Sequence, residues 1–457
     1  MNLNQSIVCL FFLGLAANAV PMPIDPLWES AQFRRVFTAS YGIDSRIEPR
    51  VNTEEKSVLE KVAEKMAAGK RTDAVELLKG NTLLNESAVM LFNLANLLFE
   101  QENREAAVLH FRKAIELYPN FRDAHRNLAV ALVQGENIRE AEPHLRRSLE
   151  LGAQDGLTLG LLGYCHESAG RPQAALQAYR SATLTMPDEF QWRLGQGRML
   201  IELGELNSAA ALLEELLQKS PQQPAIWSHL ANVRLQQGKP LLAIADLEVA
   251  RRLGSLDSGT ALSLGHLFLN QSLYQRAMDC YQDAVKANPP APITKAIDAI
   301  DYLLRAQRWH DAGNLAQTLG SVTGYQEQLT GNAKAAQRLE RANAFIDFHK
   351  DNSDENAKQI AAIVEKNPLD ALALLLLADF HLANKRQEHA LMYLEQAAAV
   401  KEYKVEALRK QGEILVQRGD YTKALSLLTE AQQLAPDENL SKYITTLKKL
   451  AGTLDRE

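Results

Sequence analysis

A thirty-four-residue period constrains this chain more than any other feature of its sequence. The stretch Gly156 to Pro187, GLTLGLLGYCHESAGRPQAALQAYRSATLTMP, reads as two short amphipathic helices joined by a turn. Leu159, Leu162, Gly163 and His166 recur at i, i+3, i+4 and i+7 in the first. Gly170 and Pro172 break the run. Ala175, Tyr179 and Ala182 carry the second helix, and Pro187 ends it. Neither helix can bury its apolar face alone, so the unit needs copies of itself. Copies begin near Ala88, Arg122, Gly156, Phe190, Pro224 and Ser258, with no insertion between them. A small residue recurs in each first helix (Ala95, Ala129, Gly163, Gly197, Ala231, Gly265) and in each second helix (Ala107, Ala141, Ala175, Ala209, Ala243, Ala277). A large one follows in the second helix: Phe111, Leu145, Tyr179, Leu213, Leu247 and Tyr281. The chain, 457 residues long, is too long for one core and suits a stack in which each unit touches only its neighbours.

This period and pattern resemble the tetratricopeptide repeat (TPR). The resemblance implies an all-α fold, a right-handed superhelical solenoid of helix-turn-helix repeats, here in two arrays. The expected organisation is a signal peptide over 1–19, an extended arm over 20–53, and an N-terminal array over 54–291. A degenerate repeat or hinge over 292–331, a C-terminal array over 332–438, and a capping helix and tail over 439–457 follow. Within the hinge stretch, Gly320, Gly324 and Gly331 predict a loose loop. Trp28, Phe33, Phe37 and Tyr41 concentrate aromatics in the arm of a chain that has few, and predict an arm that covers the apolar edge of the first repeats or docks a partner.

Ile7 to Ala17 is an apolar run too short to span a bilayer, and Ala17-Asn18-Ala19 has the small-x-small pattern of a signal-peptidase site. A cleaved signal predicts a mature chain from Val20, an exported and periplasmic location, and no integral membrane span after cleavage. Cys165 and Cys280, three repeats apart, are expected as buried free thiols rather than a disulfide. A net charge of −6 with interspersed signs gives no basis for nucleic-acid binding.

No P-loop, H-E-x-x-H, G-x-S-x-G or zinc-ligand spacing occurs. The ten His are spread singly along the repeats; His381 and His389 come nearest to a pair, without metal spacing, and His166 and His266 read as packed, hydrogen-bonded core groups. The chain is therefore expected to be no enzyme, with no catalytic, cofactor-binding or metal-binding residues and no cofactor. The resemblance to tetratricopeptide solenoids implies a peptide-binding groove lined by the first helices. Its two ladders are Phe92, Arg126, Gly160, Leu194, Ser228 and Leu262, and Asn96, Val130, Tyr164, Arg198, Asn232 and His266. The residues picked from them are Phe92, Asn96, Arg126, Tyr164, Arg198, Asn232 and His266, with Asn for backbone amides, Arg for carboxylates and aromatics for apolar anchors. Val130, Gly160 and Tyr164 stand where the family's carboxylate clamp would need Lys and Asn.

FRDAHRNLAVAL (121–132), DGLTLGLLGYCH (155–166), FQWRLGQGRML (190–200) and SYGIDSRIEP (40–49) are also similar to exported bacterial repeat proteins associated with TonB–ExbB–ExbD systems. That resemblance implies a periplasmic scaffold binding a TonB- or ExbD-type envelope protein. The alternatives are an assembly factor for outer membrane, pilus or cell wall, or a regulatory subunit of an envelope enzyme.

Overall fold

The computed structural model describes residues 48–454 apart from residue 255. The expected signal peptide and all but the last residues of the arm lie outside the described residues. The described chain is all-α, with 24 α-helices and no strand among the described residues. It forms two compact units that part between Asp246 and Leu247.

In the N-terminal unit the helices are α1 (Thr53–Ala67), α2 (Arg71–Lys79), α3 (Ala88–Glu100), α4 (Arg104–Leu117), α5 (Arg122–Gln134) and α6 (Ile138–Glu150). They continue as α7 (Gly156–Ser168), α8 (Pro172–Thr185), α9 (Phe190–Glu202), α10 (Leu206–Lys219) and α11 (Pro224–Gln236). The division falls inside α12 (Pro240–Arg252). Each of the six copies read from the sequence opens a helix at its predicted first residue. The first pair starts on a capping box, in which Asn52 accepts from the Glu55 backbone N–H and Glu55 accepts from that of Asn52.

The recurrent small and large residues form the seam. Ala107, Ala141, Ala175 and Ala209 are fully buried, and so are Phe111, Leu145 and Leu213. The turn between the helices of a pair needs one left-handed residue. Gly170, Gly204 and Gly238 supply it, but Glu102 and Glu136 adopt φ of 62° and 61° at the same register. The fold thus enforces the turn even where the sequence offers no glycine.

First helices of successive pairs touch one another, α3 with α5, α7 with α9 and α9 with α11. This places the first helices on the inner side of the stack and the second helices on the outer side.

The C-terminal unit holds α13 (Ser258–Asn270), α14 (Tyr274–Lys286), α15 (Ile293–Arg305), α16 (Trp309–Ser321), α17 (Thr323–Thr330) and α18 (Ala333–Lys350). Then come α19 (Asp354–Lys366), α20 (Ala371–Ala383), α21 (Gln387–Ala398), α22 (Lys404–Gln417), α23 (Tyr421–Leu434) and α24 (Glu438–Leu454). The loose glycine loop is corrected: Gly320 and Gly324 lie within α16 and α17. Between the Pro289–Pro292 run and Gly331, α15 buries Ile293, Ile297, Ile300, Leu303 and Leu304 to 4% exposure or less. At the end of the chain α24 buries Leu440, Ile444 and Leu447, and Lys442, Lys448 and Lys449 are exposed.

Candidate functional site

The predicted groove residues fall into four groups. Phe92 belongs to the core: it is fully buried, with its ring 5.7 Å from Phe111 and 4.7 Å from Phe121. Its expected role as an apolar anchor for a ligand is corrected, because no face of the ring is free.

Arg126 and Arg198 are held by partners inside the fold. Arg126 is 7% exposed; its Nη2 lies 3.6 Å from Asp123 and its Nη1 3.9 Å from Asp155, and its Nε donates to Asn127 at 3.4 Å. Arg198 donates through Nε and Nη2 to both oxygens of Glu167, at 2.7 and 2.8 Å, and the Tyr179 hydroxyl donates to the same carboxylate at 2.5 Å. The two charged side chains are only 5% and 4% exposed. Burial works against the Arg198 charge, and Glu167 outweighs it and holds the guanidinium protonated. Desolvation, then Glu167, drives the Tyr179 phenol well above its ordinary range. Arg198 is therefore committed to Glu167 rather than waiting for a ligand carboxylate.

His266 lies in the C-terminal unit. Its Nδ1 is 2.7 Å from the Tyr281 hydroxyl, its ring lies 4.5 Å from Tyr302, and desolvation pushes it to about 3. It is packed and hydrogen-bonded, as one reading of the sequence has it, and does not stand free in the groove as the other has it.

Asn96, Tyr164 and Asn232 are half-buried and reach the inner surface. Asn96 accepts from Asn127 at 2.9 Å, and Asn232 accepts from Gln236 at 3.1 Å. Burial, then Glu167, raises the Tyr164 phenol. With half-buried Ser228, these residues give an inner face that is polar with one aromatic, capable of pairing with backbone amides and covering one apolar side chain.

The close packing beneath Tyr164 explains the glycines of α7 and α9. The Trp192 indole lies on Gly160, where a Cβ would fall 2.2 Å from Cε2. The Tyr179 ring fills the space between Gly163 and Gly195. The groove position at Gly160 is thus closed by Trp192.

One pair of histidines escaped the sequence reading, and the structure brings together a second, His381 and His389, that the sequence had placed nearest to a pair. His125 and His144 face each other, Nδ1 to Nδ1 at 2.9 Å, and desolvation followed by the His125 charge lowers His144 to about 4. His381 and His389 stack with centroids 5.1 Å apart. Among the described residues no group of three or more His, Cys, Asp or Glu could hold a metal ion. Cys165 and Cys280 are buried free thiols, each pushed up to about 12 by burial. No described helix is long and apolar enough to cross a membrane.

A signal for the inner partners was present in the sequence. Asn96 and Asn127, Glu167 and Arg198, and Asp379 and Lys410 are each separated by 31 residues and each are bonded. Complementary residues one period apart less one helical turn face each other across adjacent first helices.

Three family models described as tetratricopeptide repeat match the chain. One covers 88–121, one covers 126–186, 350–403 and 390–439, and one covers 166–233 and 200–259. The DnaJ homolog subfamily C member 3 of Gallus gallus is 26% identical over 294 residues, 62% of this chain and 52% of that protein. The superkiller complex protein 3 of Mus musculus is 26% identical over 199 residues, 42% of this chain and 13% of that protein. The chain therefore spans about half of the first of these two relatives and far less of the second. The type IV pilus assembly protein PilF of Pseudomonas aeruginosa is 25% identical over 162 residues, 35% of this chain and 64% of that protein. Among solved structures, Pseudomonas aeruginosa pilF superposes with a TM-score of 0.39 at 19% identity, covering 47% of this chain and 96% of that one. YrrB, titled a TPR protein with an unusual peptide-binding site, superposes with a TM-score of 0.36 at 22% identity, covering 40% of this chain and 91% of that one.

Proposed function

The chain belongs to the tetratricopeptide-repeat proteins, a scaffold class that binds protein and peptide partners, and from that premise we propose that it is a non-enzymatic, exported scaffold holding a segment of an envelope protein. The observation that carries this reading is the inner face of α7 and α11. There Tyr164, Ser228 and Asn232 are half-buried and reach the inner surface, while Arg126 and Arg198 are held inside the fold. Amide and hydroxyl groups beside one aromatic ring suit a peptide whose backbone needs partners and whose side chains include an apolar anchor. Export is supported by the apolar run 7–17 and by Ala17-Asn18-Ala19. The similarity of 40–49, 121–132, 155–166 and 190–200 to exported repeat proteins of TonB–ExbB–ExbD systems supports a TonB- or ExbD-type partner.

A second reading, an envelope assembly factor, is favoured by the similarity to a protein named for type IV pilus assembly. Partner identity separates the two.

The test uses Tyr164→Gln and Asn232→Lys together. Recovery of the envelope partner from chemically crosslinked cells should fall while helicity and melting stay unchanged. Full recovery would remove the inner face from the account. N-terminal sequencing of the protein from cells should begin at Val20, and a chain retained in the cytoplasm with residues 1–19 attached would end the export reading.

A further inference from the structure

The histidine pair of α5 and α6 stands where the next copy of the repeat is apolar. Thirty-four residues on, His125 and His144 correspond to Leu159, packed against the core, and to buried Ala178. Two apolar groups of the right shape hold such a contact about as well as a hydrogen-bonded pair does. Packing alone therefore gives no reason for imidazoles here.

The imidazoles add two nitrogens that converge, Nδ1 facing Nδ1 at 2.9 Å. His125 is the fixed side: it is 7% exposed, and its Nε2 lies 3.0 Å from the Pro119 carbonyl oxygen. That oxygen can only accept, so Nε2 carries the His125 proton and Nδ1 keeps its lone pair. Histidines that hold metals are oriented by this kind of contact through their second nitrogen. His144 then donates its Nδ1 proton across the pair. It is half-buried on the outer helix α6, which leaves solvent a way to the pair. Burial first, and then positive neighbours that include Arg147 and Arg112, favours uncharged rings.

The surroundings select the ion. Glu140, the carboxylate that acts on His144, is bonded to Arg112, and Arg147 is bonded to Glu150 and Asn120. Among the described residues no third His, Cys, Asp or Glu joins the two. An ion held here has two neutral nitrogen ligands, no anionic one, and guanidinium groups nearby. Zinc and the other divalent ions need more ligands than these and more negative charge. A monovalent closed-shell ion accepts two ligands in line.

We propose that His125 and His144 form a two-coordinate site for a soft monovalent cation, Cu+ or its redox-inert analogue Ag+, held in line between the two Nδ1 atoms. At about 2.0–2.1 Å for each metal–imidazole bond the nitrogens must stand about 4 Å apart, so the half-buried His144 ring withdraws by about 1 Å. The His144 proton passes from Nδ1 to Nε2 through solvent, and no net proton is released. Affinity should then not change with pH above about 6.5, the ordinary imidazole value. The site stands whichever partner the inner face binds.

The experiment titrates the full chain with Cu+ against a chromogenic copper(I) chelator. His125→Leu with His144→Ala installs the residues of the next copy and keeps every cysteine and methionine, so it shares their background uptake. This variant should melt at or above the parent, and the parent should take up one more equivalent of Cu+. His125→Leu or His144→Ala alone should weaken that equivalent at least about 100-fold, beyond the 10–100-fold that losing an outer partner of a ligand costs. Equal uptake by the parent and the double variant would overturn the proposal, as would binding that survives either single change. A second measurement needs no variant. In the parent with nitrogen-15-labelled histidine, Ag+ at saturation should shift the Nδ1 resonances of two of the ten rings together. Saturation that moves no such pair would also overturn it.

Discussion

Replacing Arg198 distinguishes a core residue from a ligand-reading one. Its guanidinium makes two hydrogen bonds to Glu167 in a site where both side chains are 5% exposed or less. Arg198→Met removes the cation and leaves the Glu167 carboxylate buried, with the Tyr179 hydroxyl and no opposite charge. Breaking a buried ion pair on one side costs about 3–5 kcal/mol, because the remaining charge keeps its desolvation penalty and loses its compensation. At about 2–4 °C per kcal/mol for a unit of about 200 residues, the melting midpoint should fall by about 6–20 °C. Adding Glu167→Gln removes the stranded charge and keeps an acceptor for Tyr179, so the double variant should recover roughly half of the loss or more. Circular dichroism of the four proteins of this cycle measures both quantities. In a stack stabilised by neighbours, hydrogen exchange should show the loss first in α7 to α10. An Arg198→Met protein that melts like the parent and only loses partner binding would refute the reasoning and return Arg198 to the groove.

Gly160→Ala should destabilise by up to about 2 kcal/mol, since crowding the buried Trp192 indole costs about 1–3 kcal/mol against about 1 kcal/mol of gained helix propensity. Gly320→Ala, in a helix with nothing within 4 Å of the new Cβ, should instead stabilise by about 0.5–1 kcal/mol; urea melts check both. Stability should also decline with acidity. His144 and His229 are lowered to about 4, by desolvation first and then by the His125 and Arg198 charges, so the unfolded chain binds more protons than the folded one below about pH 6.5. The loss begins near pH 6.5, grows down to about pH 4, and at pH 5 should reach about 1–2 kcal/mol for each residue, measured by melts across that range. Leu184, 84% exposed on α8, should tolerate Leu184→Ser within about 0.5 kcal/mol in the same melts.

How far the sequence reveals this molecule depends on the range of the interactions involved. The period set the helices because each repeat is a local object: its breakers, small residues and large wedges are all within one copy. Hence Ala88, Arg122, Gly156, Phe190, Pro224 and Ser258 open helices as predicted. Position alone did not reveal availability. Phe92, Arg126 and Arg198 stand on the inner register, but partners from outside their own helices hold them: Phe111 and Phe121 for the ring, Asp155 for one guanidinium beside Asp123 of its own helix, Glu167 for the other. Of these partners only Glu167 and Arg198 show in the sequence as complementary residues 31 apart, the spacing shared by Asn96–Asn127 and Asp379–Lys410. The loop expected at Gly320 and Gly324 failed for a different reason. Glycine costs a helix only about 1 kcal/mol, and the buried Leu315, Leu319 and Tyr325 around these two outweigh it.

In-cell photocrosslinking from Tyr164, with Leu184 on α8 as the control position, tests the scaffold account most directly. The account predicts a specific crosslink from Tyr164 to a TonB-type, ExbD-type or other envelope protein, and none from Leu184. Equal capture from both positions, or capture only of cytoplasmic proteins, would contradict it.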